Sequence, residues 1–267
     1  MSFSIEGKTA IITGAANGVG RAIARHFATK GANVMLADMD EEQLVRECGR
    51  FGEETGGMRY FAGDLREKLT MANLLSATLD QFDRVDILVN AARQTGLTDA
   101  LDPEDDSLET LLAQNLMTGF RLSQFIAKRM IKQAGDAPES SAGAIVNLSS
   151  IAARRSHPAL LGYSVSCAAL DQMTRSLALT LAPHRIRVNG LAFGSVMSAS
   201  LQSALKENRE DRREIEEKTP LGRIASPDEL VETVQYLASD AAGFMTGQIL
   251  TIDGGRSLRD SVIAPAH

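Results

Sequence analysis

Short apolar runs alternate with amphipathic stretches along the chain. Lys8–Thr13, Asn33–Ala37, Met58–Ala62, Asp86–Val89, Ala144–Leu148, Arg187–Leu191 and Gln248–Ile252 read as strands. In several of them apolar residues follow one another without the in–out alternation of a half-solvated strand, which is the pattern of strands buried on both faces. Between them, Val19–Lys30 places Ile23, Ala24 and Phe27 on one helical face, and Gly31 ends it. Glu41–Glu54, with acidic residues in its first turn, Glu67–Phe82, Ser107–Lys132, Gly162–Leu181, the charged run Ser198–Lys218 and Pro227–Ser239 also read as helices. The stretch from Gln133 to Ala142 reads as a surface loop. Strands that alternate with helices predict an α/β protein: a doubly wound, seven-stranded parallel sheet with helices on both faces. With no repeat and no dividing linker, residues 1–267 read as a single domain.

Composition narrows the function classes. Hydrophobic content of 44% and charged content of 23% are ordinary for a globular protein, and a net charge of -6 argues against nucleic acid as a partner. The first apolar run is too short for a signal peptide, and none approaches the ~18 residues of a membrane span. A cytoplasmic location away from membranes is therefore expected. The two cysteines, Cys48 and Cys167, form no CxxC motif, and no His/Cys cluster with metal-ligand spacing occurs. His26 and His184 read as structural, and His157 as a loop residue near the pocket.

Two stretches carry candidate chemistry. Thr13-Gly14-Ala15-Ala16-Asn17-Gly18-Val19-Gly20 joins the first strand to the first helix, where glycines let backbone N–H groups approach a phosphate at a helix N-terminus. Asp38 ends the second strand, 24 residues after Gly14, where a carboxylate would accept hydrogen bonds from an adenosine ribose. Neither Asn17 nor Met39 is basic, so nothing there would receive a 2′-phosphate, and the expected cofactor is NAD. The second stretch pairs Ser150, at the end of an apolar run, with Tyr163, thirteen residues later at the start of a helix. A hydroxyl and a phenol at that interval suggest an acid–base site. One helical turn beyond the phenol, where a cation would be chemically apt, stands Cys167.

The spacing TGxxxGxG resembles that of the short-chain dehydrogenase/reductase family, and the resemblance extends in order along nearly the whole chain. Asp64-Leu65 is similar to the pair that flanks the adenine, and Asn90-Ala91-Ala92-Arg93 takes the place of NNAG. Asn115 matches the helix-borne catalytic Asn, and Asn147-Leu148-Ser149-Ser150 the segment that carries the catalytic Ser. Arg187-Val188-Asn189-Gly190-Leu191-Ala192-Phe193-Gly194 resembles the RVNxIxPG segment beside the nicotinamide, and Thr246-Gly247-Gln248 through Asp253-Gly254-Gly255 the C-terminal strand and turn.

The resemblance implies a Rossmann-type fold, a substrate lid at about residues 195–223 and a homotetramer or homodimer. It also implies cofactor contacts at Gly14, Asn17, Gly18, Val19, Gly20, Asp38, Asp64, Leu65, Asn90, Gly194, Val196 and Ser198. By the same pattern Tyr163 is the acid/base in interconversion of an alcohol and a ketone or aldehyde, Ser150 holds the substrate oxygen, and Asn115 anchors a proton relay. The family places a Lys four residues after the Tyr, where this chain has Cys167. The departures Ala91, Arg93 and Phe193 gather around the same site, and Arg154 and Arg155 follow the Ser. A thiol supplies no cation, so weakened cofactor binding and a slowed proton step are expected unless Arg93 or Arg154 stands in. The alternative is an NAD-binding protein without catalysis, acting as subunit, scaffold or sensor.

Overall fold

The structure is a computed structural model that describes residues 2–55, 57–135, 141–198, 201–202, 205–206 and 209–260. Seven parallel strands form its sheet: β1 (Thr9–Thr13), β2 (Asn33–Asp38), β3 (Met58–Ala62), β4 (Ile87–Asn90), β5 (Gly143–Ser150), β6 (Ile186–Phe193) and β7 (Ile249–Ile252). Their spatial order is β3-β2-β1-β4-β5-β6-β7. Chain order therefore runs outward in one direction as far as β3, returns beside β1 with β4, and continues the other way. That reversal opens a crevice at the C-terminal ends of β1 and β4, where sheets of this kind hold ligands.

Successive strand residues face opposite layers, so one sheet supports two cores. Ala10, Ile12, Val89, Val146 and Leu148 pack with Ile23 and Phe27 of α1 (Gly18–Thr29) on one side. Ile11, Leu88, Ile145 and Val188 pack on the other with residues of α3 (Lys68–Phe82), α5 (Thr118–Ala134) and α6 (Leu161–Leu181). Helix α2 (Glu41–Thr55) follows β2, and α8 (Val231–Ala238) covers the first layer beside α1.

Three expectations change in detail. The helix expected over Ser107–Lys132 is two helices, α4 (Ser107–Leu112) and α5, joined by a π turn at Ala113–Met117. The wider turn is closed by the Thr118 N–H reaching back to the Ala113 carbonyl, and the Thr118 hydroxyl donates to that same oxygen at 3.1 Å. Strands β5 and β6 run two residues further than their apolar runs, which brings Ser150 and Phe193 into register as neighbours at the sheet's edge. In the charged run, α7 covers Arg209–Lys218 and carries i,i+4 ion pairs Arg212–Glu216 (2.9 Å) and Arg213–Glu217 (2.7 Å). Residues 199–200, 203–204 and 207–208 of the expected lid, and 136–140 of the expected loop, lie outside the described residues.

Candidate active site

Glycine geometry shapes the first half of the crevice. Gly14 has φ 64°, and a Cβ there would lie 2.8 Å from Ala92 Cα. A Cβ at Gly20 would collide with the Gly14 carbonyl, so the first turn of α1 can lie this close to β1 only with glycine. Asn17 takes the N-cap position without a side-chain cap bond, and no acidic residue stands in the first turn. The end of α1 thus keeps its positive dipole uncompensated and its N–H groups directed at the crevice. The Asp38 carboxylate accepts from the N–H groups of Met39 (2.7 Å), Ala16 (3.1 Å) and Asp40 (3.2 Å), which fixes it at the lip. Asp64 is gripped by Arg66 through its side chain and backbone, and the first of these bonds lowers its pKa below the usual carboxylate range.

These residues line a cleft of about 450 Å³. Of the positions expected to touch cofactor, Gly14, Asn17, Gly18, Val19, Gly20, Asp38, Asp64, Leu65 and Ser198 face it. Asn90, Gly194 and Val196 are not among its lining residues. Asn90 is buried and donates its amide to Asn147 Oδ1 (2.8 Å) and Ser123 Oγ (3.1 Å). Val196 is drawn into the core of the α1 layer, bridging to Ala225. The Gly194 N–H donates to the Ile252 carbonyl (3.3 Å), holding that residue against β7. Met39, Gly63, Gln94, Thr95 and Gln114 also line the cleft, although no motif marks them. Position could have found the first four, since each follows the C-terminal end of a strand flanking the crevice.

The second half converges from distant parts of the chain. Tyr163, in the first turn of α6, is 5% exposed. Ser150, at the end of β5, accepts the Ala152 N–H at 3.1 Å, which leaves its own proton for donation. Asn115 sits in the π turn with its amide fully engaged: Oδ1 accepts the Gln94 N–H (2.8 Å), while Nδ2 donates to the Gln94 carbonyl (2.9 Å) and to Ser166 Oγ (3.1 Å). Asn115 thus clamps the loop after β4 from within the wide turn. Cys167 shares the helix face of Tyr163 and is buried. Desolvation raises its pKa, with Arg93 pulling the other way, so it is a neutral thiol. A cavity of about 10 Å³, roughly the size of one water, lies among Tyr163, Cys167, Asn115, Asn90 and Thr13.

Arg93 enters this cluster from the loop after β4. Its Nη1 donates to Tyr163 Oη at 3.0 Å and to the Ser149 carbonyl at 3.2 Å. Its guanidinium carbon stands 4.1 Å from the centroid of the Phe193 ring, within the range of a cation–π contact. Burial raises the phenol's pKa above its ordinary value; Arg93 opposes that rise, Cys167 adds to it, and hydrogen bonding with Ser150 opposes it. The other two arginines turn elsewhere. Arg154 lies 3.9 Å from Asp171 and donates to Thr251 Oγ1 (3.3 Å), and Arg155 bonds the Ser257 carbonyl. His157 accepts the Ala159 N–H on its Nδ1 at 3.2 Å, and His26 pairs with Gln235. Among the described residues no His/Cys/Asp/Glu group could hold a metal ion, and no helix is long and apolar enough to cross a membrane.

A doubly wound parallel sheet, a glycine turn at its switch point and a phenol at the same edge define a nucleotide-binding α/β protein of the dehydrogenase type. A family model described as enoyl-(acyl carrier protein) reductase matches residues 14–257, and the chain belongs to the short-chain dehydrogenase/reductase family of oxidoreductases. It is 33% identical over 257 residues to D-threitol dehydrogenase of Mycolicibacterium smegmatis, covering 96% of this chain and 95% of that protein. It is 32% identical over 254 residues to 7α-hydroxysteroid dehydrogenase of Escherichia coli, covering 94% of each. A solved structure of a 7α-hydroxysteroid dehydrogenase complexed with NADH and 7-oxo glycochenodeoxycholic acid superposes with a TM-score of 0.87 at 31% identity, covering 95% of each chain.

Proposed function

We propose that this chain is an NAD(H)-dependent oxidoreductase that interconverts a small-molecule alcohol and its ketone or aldehyde, with Tyr163 as the acid/base. The observation that carries the reading is the phenol at the crevice edge, with Ser150 and a guanidinium both directed at its oxygen. When bound, the nicotinamide would supply or take the hydride. The residues present fit that group: a glycine cradle, an uncapped helix N-terminus for its phosphates, and the Asp38 carboxylate for the adenosine ribose, which would repel a 2′-phosphate. Asp64, Leu65 and Ser198 line the same cleft; by resemblance to the family the first two would flank the adenine and Ser198 would reach the nicotinamide.

Tyr163 gives its proton to a carbonyl oxygen in reduction and takes one from a hydroxyl in oxidation. Ser150 donates to that same substrate oxygen and orients it. Asn115 holds the loop after β4 rather than the substrate. A phenol held above its ordinary pKa stays in the acid form to alkaline pH. Reduction is therefore flat across neutral pH, and oxidation climbs with pH as phenolate forms. Cys167 stands where the family has its lysine; as a neutral thiol it adds no charge, and turnover is slower and cofactor binding weaker than with lysine there. A cytoplasmic location and a homotetramer or homodimer fit the family. Val165 (43% exposed) and Leu179 (78% exposed) on α6 leave apolar surface for a second copy.

The test is NADH binding by fluorescence, followed by a screen of ketones and alcohols with wild type, Tyr163→Phe and Cys167→Lys. Expected are NADH binding throughout, a loss of about 10²–10⁴-fold in turnover for Tyr163→Phe, and a gain for Cys167→Lys. NADH binding without turnover in wild type and Cys167→Lys would favour the second reading, a dinucleotide-binding subunit, scaffold or sensor. The observation behind that second reading is the buried neutral thiol beside the phenol.

A further inference from the structure

Cys167, Phe193 and Arg93 are separate departures in the sequence, but they meet in space. The inference drawn from this rests on Tyr163 being the acid/base. We propose that Arg93 is a catalytic residue of this reaction: reaching in from the loop after β4, its guanidinium is the cation that stabilises the Tyr163 phenolate in place of one on α6.

The direction of the contact matters first. Arg93 can only donate, so at 3.0 Å the phenol oxygen accepts and its own proton is left for substrate. As that proton leaves for the substrate oxygen, the bond from the guanidinium cation to a neutral oxygen becomes an ion pair with O⁻. The interaction is therefore stronger in the charged state than in the resting one, as transition-state stabilisation requires. A guanidinium stays protonated at any pH at which the enzyme is folded.

The site is also built to hold the guanidinium there. Phe193 supplies a ring face at 4.1 Å, where the family has a proline, and the Ser149 carbonyl accepts from the same nitrogen as the phenol. The backbone on either side is pinned: Asn115 clamps both polar groups of Gln94, and the Thr13 hydroxyl accepts the N–H groups of Ala91 and Ala92 at 3.0 Å each. From α6 the phenol meets the thiol of Cys167, with a water-sized cavity beside the two. Ser150 on β5 and Asn115 in the π turn are neutral, and Phe193 on β6 is apolar. Among the described residues, Arg93 is thus the one positive charge that bears on the phenol, and Cys167 the one other titratable group.

The decisive measurement is the titration of Tyr163 in the cofactor-free protein, read from the tyrosinate ultraviolet difference spectrum with the matching Tyr163→Phe protein subtracted. Arg93→Met should move that titration to higher pH by about 1–3 pH units, the range for loss of an opposite charge at this distance. Arg93→Lys should recover most of the shift, and Arg93→Met combined with Cys167→Lys should recover it from the other side. Alcohol oxidation below the new midpoint should fall about tenfold for each pH unit of displacement. A titration of Arg93→Met that coincides with wild type overturns the proposal, as does a rise in its turnover, which would make Arg93 a plug rather than a cation. Should Arg93→Met fail to fold, Phe193→Leu removes the ring beneath the guanidinium and should shift the titration the same way by less; no shift there overturns the proposal equally. A shifted titration with no turnover in any variant would uphold the ion contact and defeat the oxidoreductase reading.

Discussion

The two halves of the cleft are built by different means. Along β1, α1 and β2, the features are made by backbone: glycines shape one turn against the loop after β4, an uncapped helix end follows it, and the Asp38 carboxylate is fixed by the N–H groups of its two successors and of Ala16 in the glycine turn. Along β4, β5, β6 and α6, each feature needs a partner far along the chain. Arg93 meets Tyr163 across 70 residues, and Asn90 meets Asn147 across 57. The first half is a solution in backbone geometry that tolerates little change. The second is a negotiated one, in which a charge lost from one element can be supplied by another.

Breaking the first half should have the largest effect. Gly20→Val puts branched carbon into the Gly14 carbonyl, and is expected to abolish NADH binding and lower Tm; retention of NADH affinity would show that the turn can relax. Asn147→Ala probes the second half. It removes one bond each from the Asn90 amide and the Thr174 hydroxyl (2.8 Å each), which keep their bonds to Ser123 and to the Leu170 carbonyl, and two lost buried hydrogen bonds at about 0.5–1.5 kcal/mol apiece should show in urea unfolding. If the negotiated half repacks, the loss will fall below that range. Asp38→Asn returns to the first half with a smaller change. Hydrogen bonds to a charged group contribute about 1.5–3 kcal/mol, so NADH should bind about 10- to 100-fold more weakly, with discrimination against NADPH reduced.

The smallest effect lies outside both halves, in the segment after the lid. Glu229 is held down to a pKa of about 2, chiefly by Arg223, which grips it with two bonds at 2.6 and 2.7 Å. Its folded pKa lies below the ordinary 4.5, so its stabilising contribution is whole above about pH 4.5 and is lost as pH falls toward 2. Glu229→Gln should therefore lower Tm slightly at neutral pH, with the difference shrinking through that acid window. An equal deficit at both ends would mean that the capping bond to Ser226 matters more than the charge.

Much of this was legible in the chain because it rests on short-range regularities. The strands appear within two or three residues of where their apolar runs lie, and the glycine turn and Asp38 stand as their spacing implies. The π turn was not legible, since Ser107–Lys132 keeps an unbroken helical pattern and the extra residue at Ala113–Met117 is revealed only by what Asn115 binds. The inward turn of Asn90 was hidden for a related reason: its partner is fixed by strand register, Asn90 beside Asn147, which single-chain spacing does not reveal. The seating of Arg93 on Phe193 was equally out of reach, because two substitutions a hundred positions apart carry no common signal until β4 and β6 are assembled around β5.

The buried thiol has a consequence for handling and regulation. Desolvation keeps Cys167 protonated, and it raises Cys48 to about 11. These are the chain's two sulfhydryls, and neither has the thiolate fraction that alkylating reagents or peroxide attack. The protein is therefore expected to pass through oxidising conditions without a cysteine-based change of state, and Lys at position 167 could be introduced without removing any redox control.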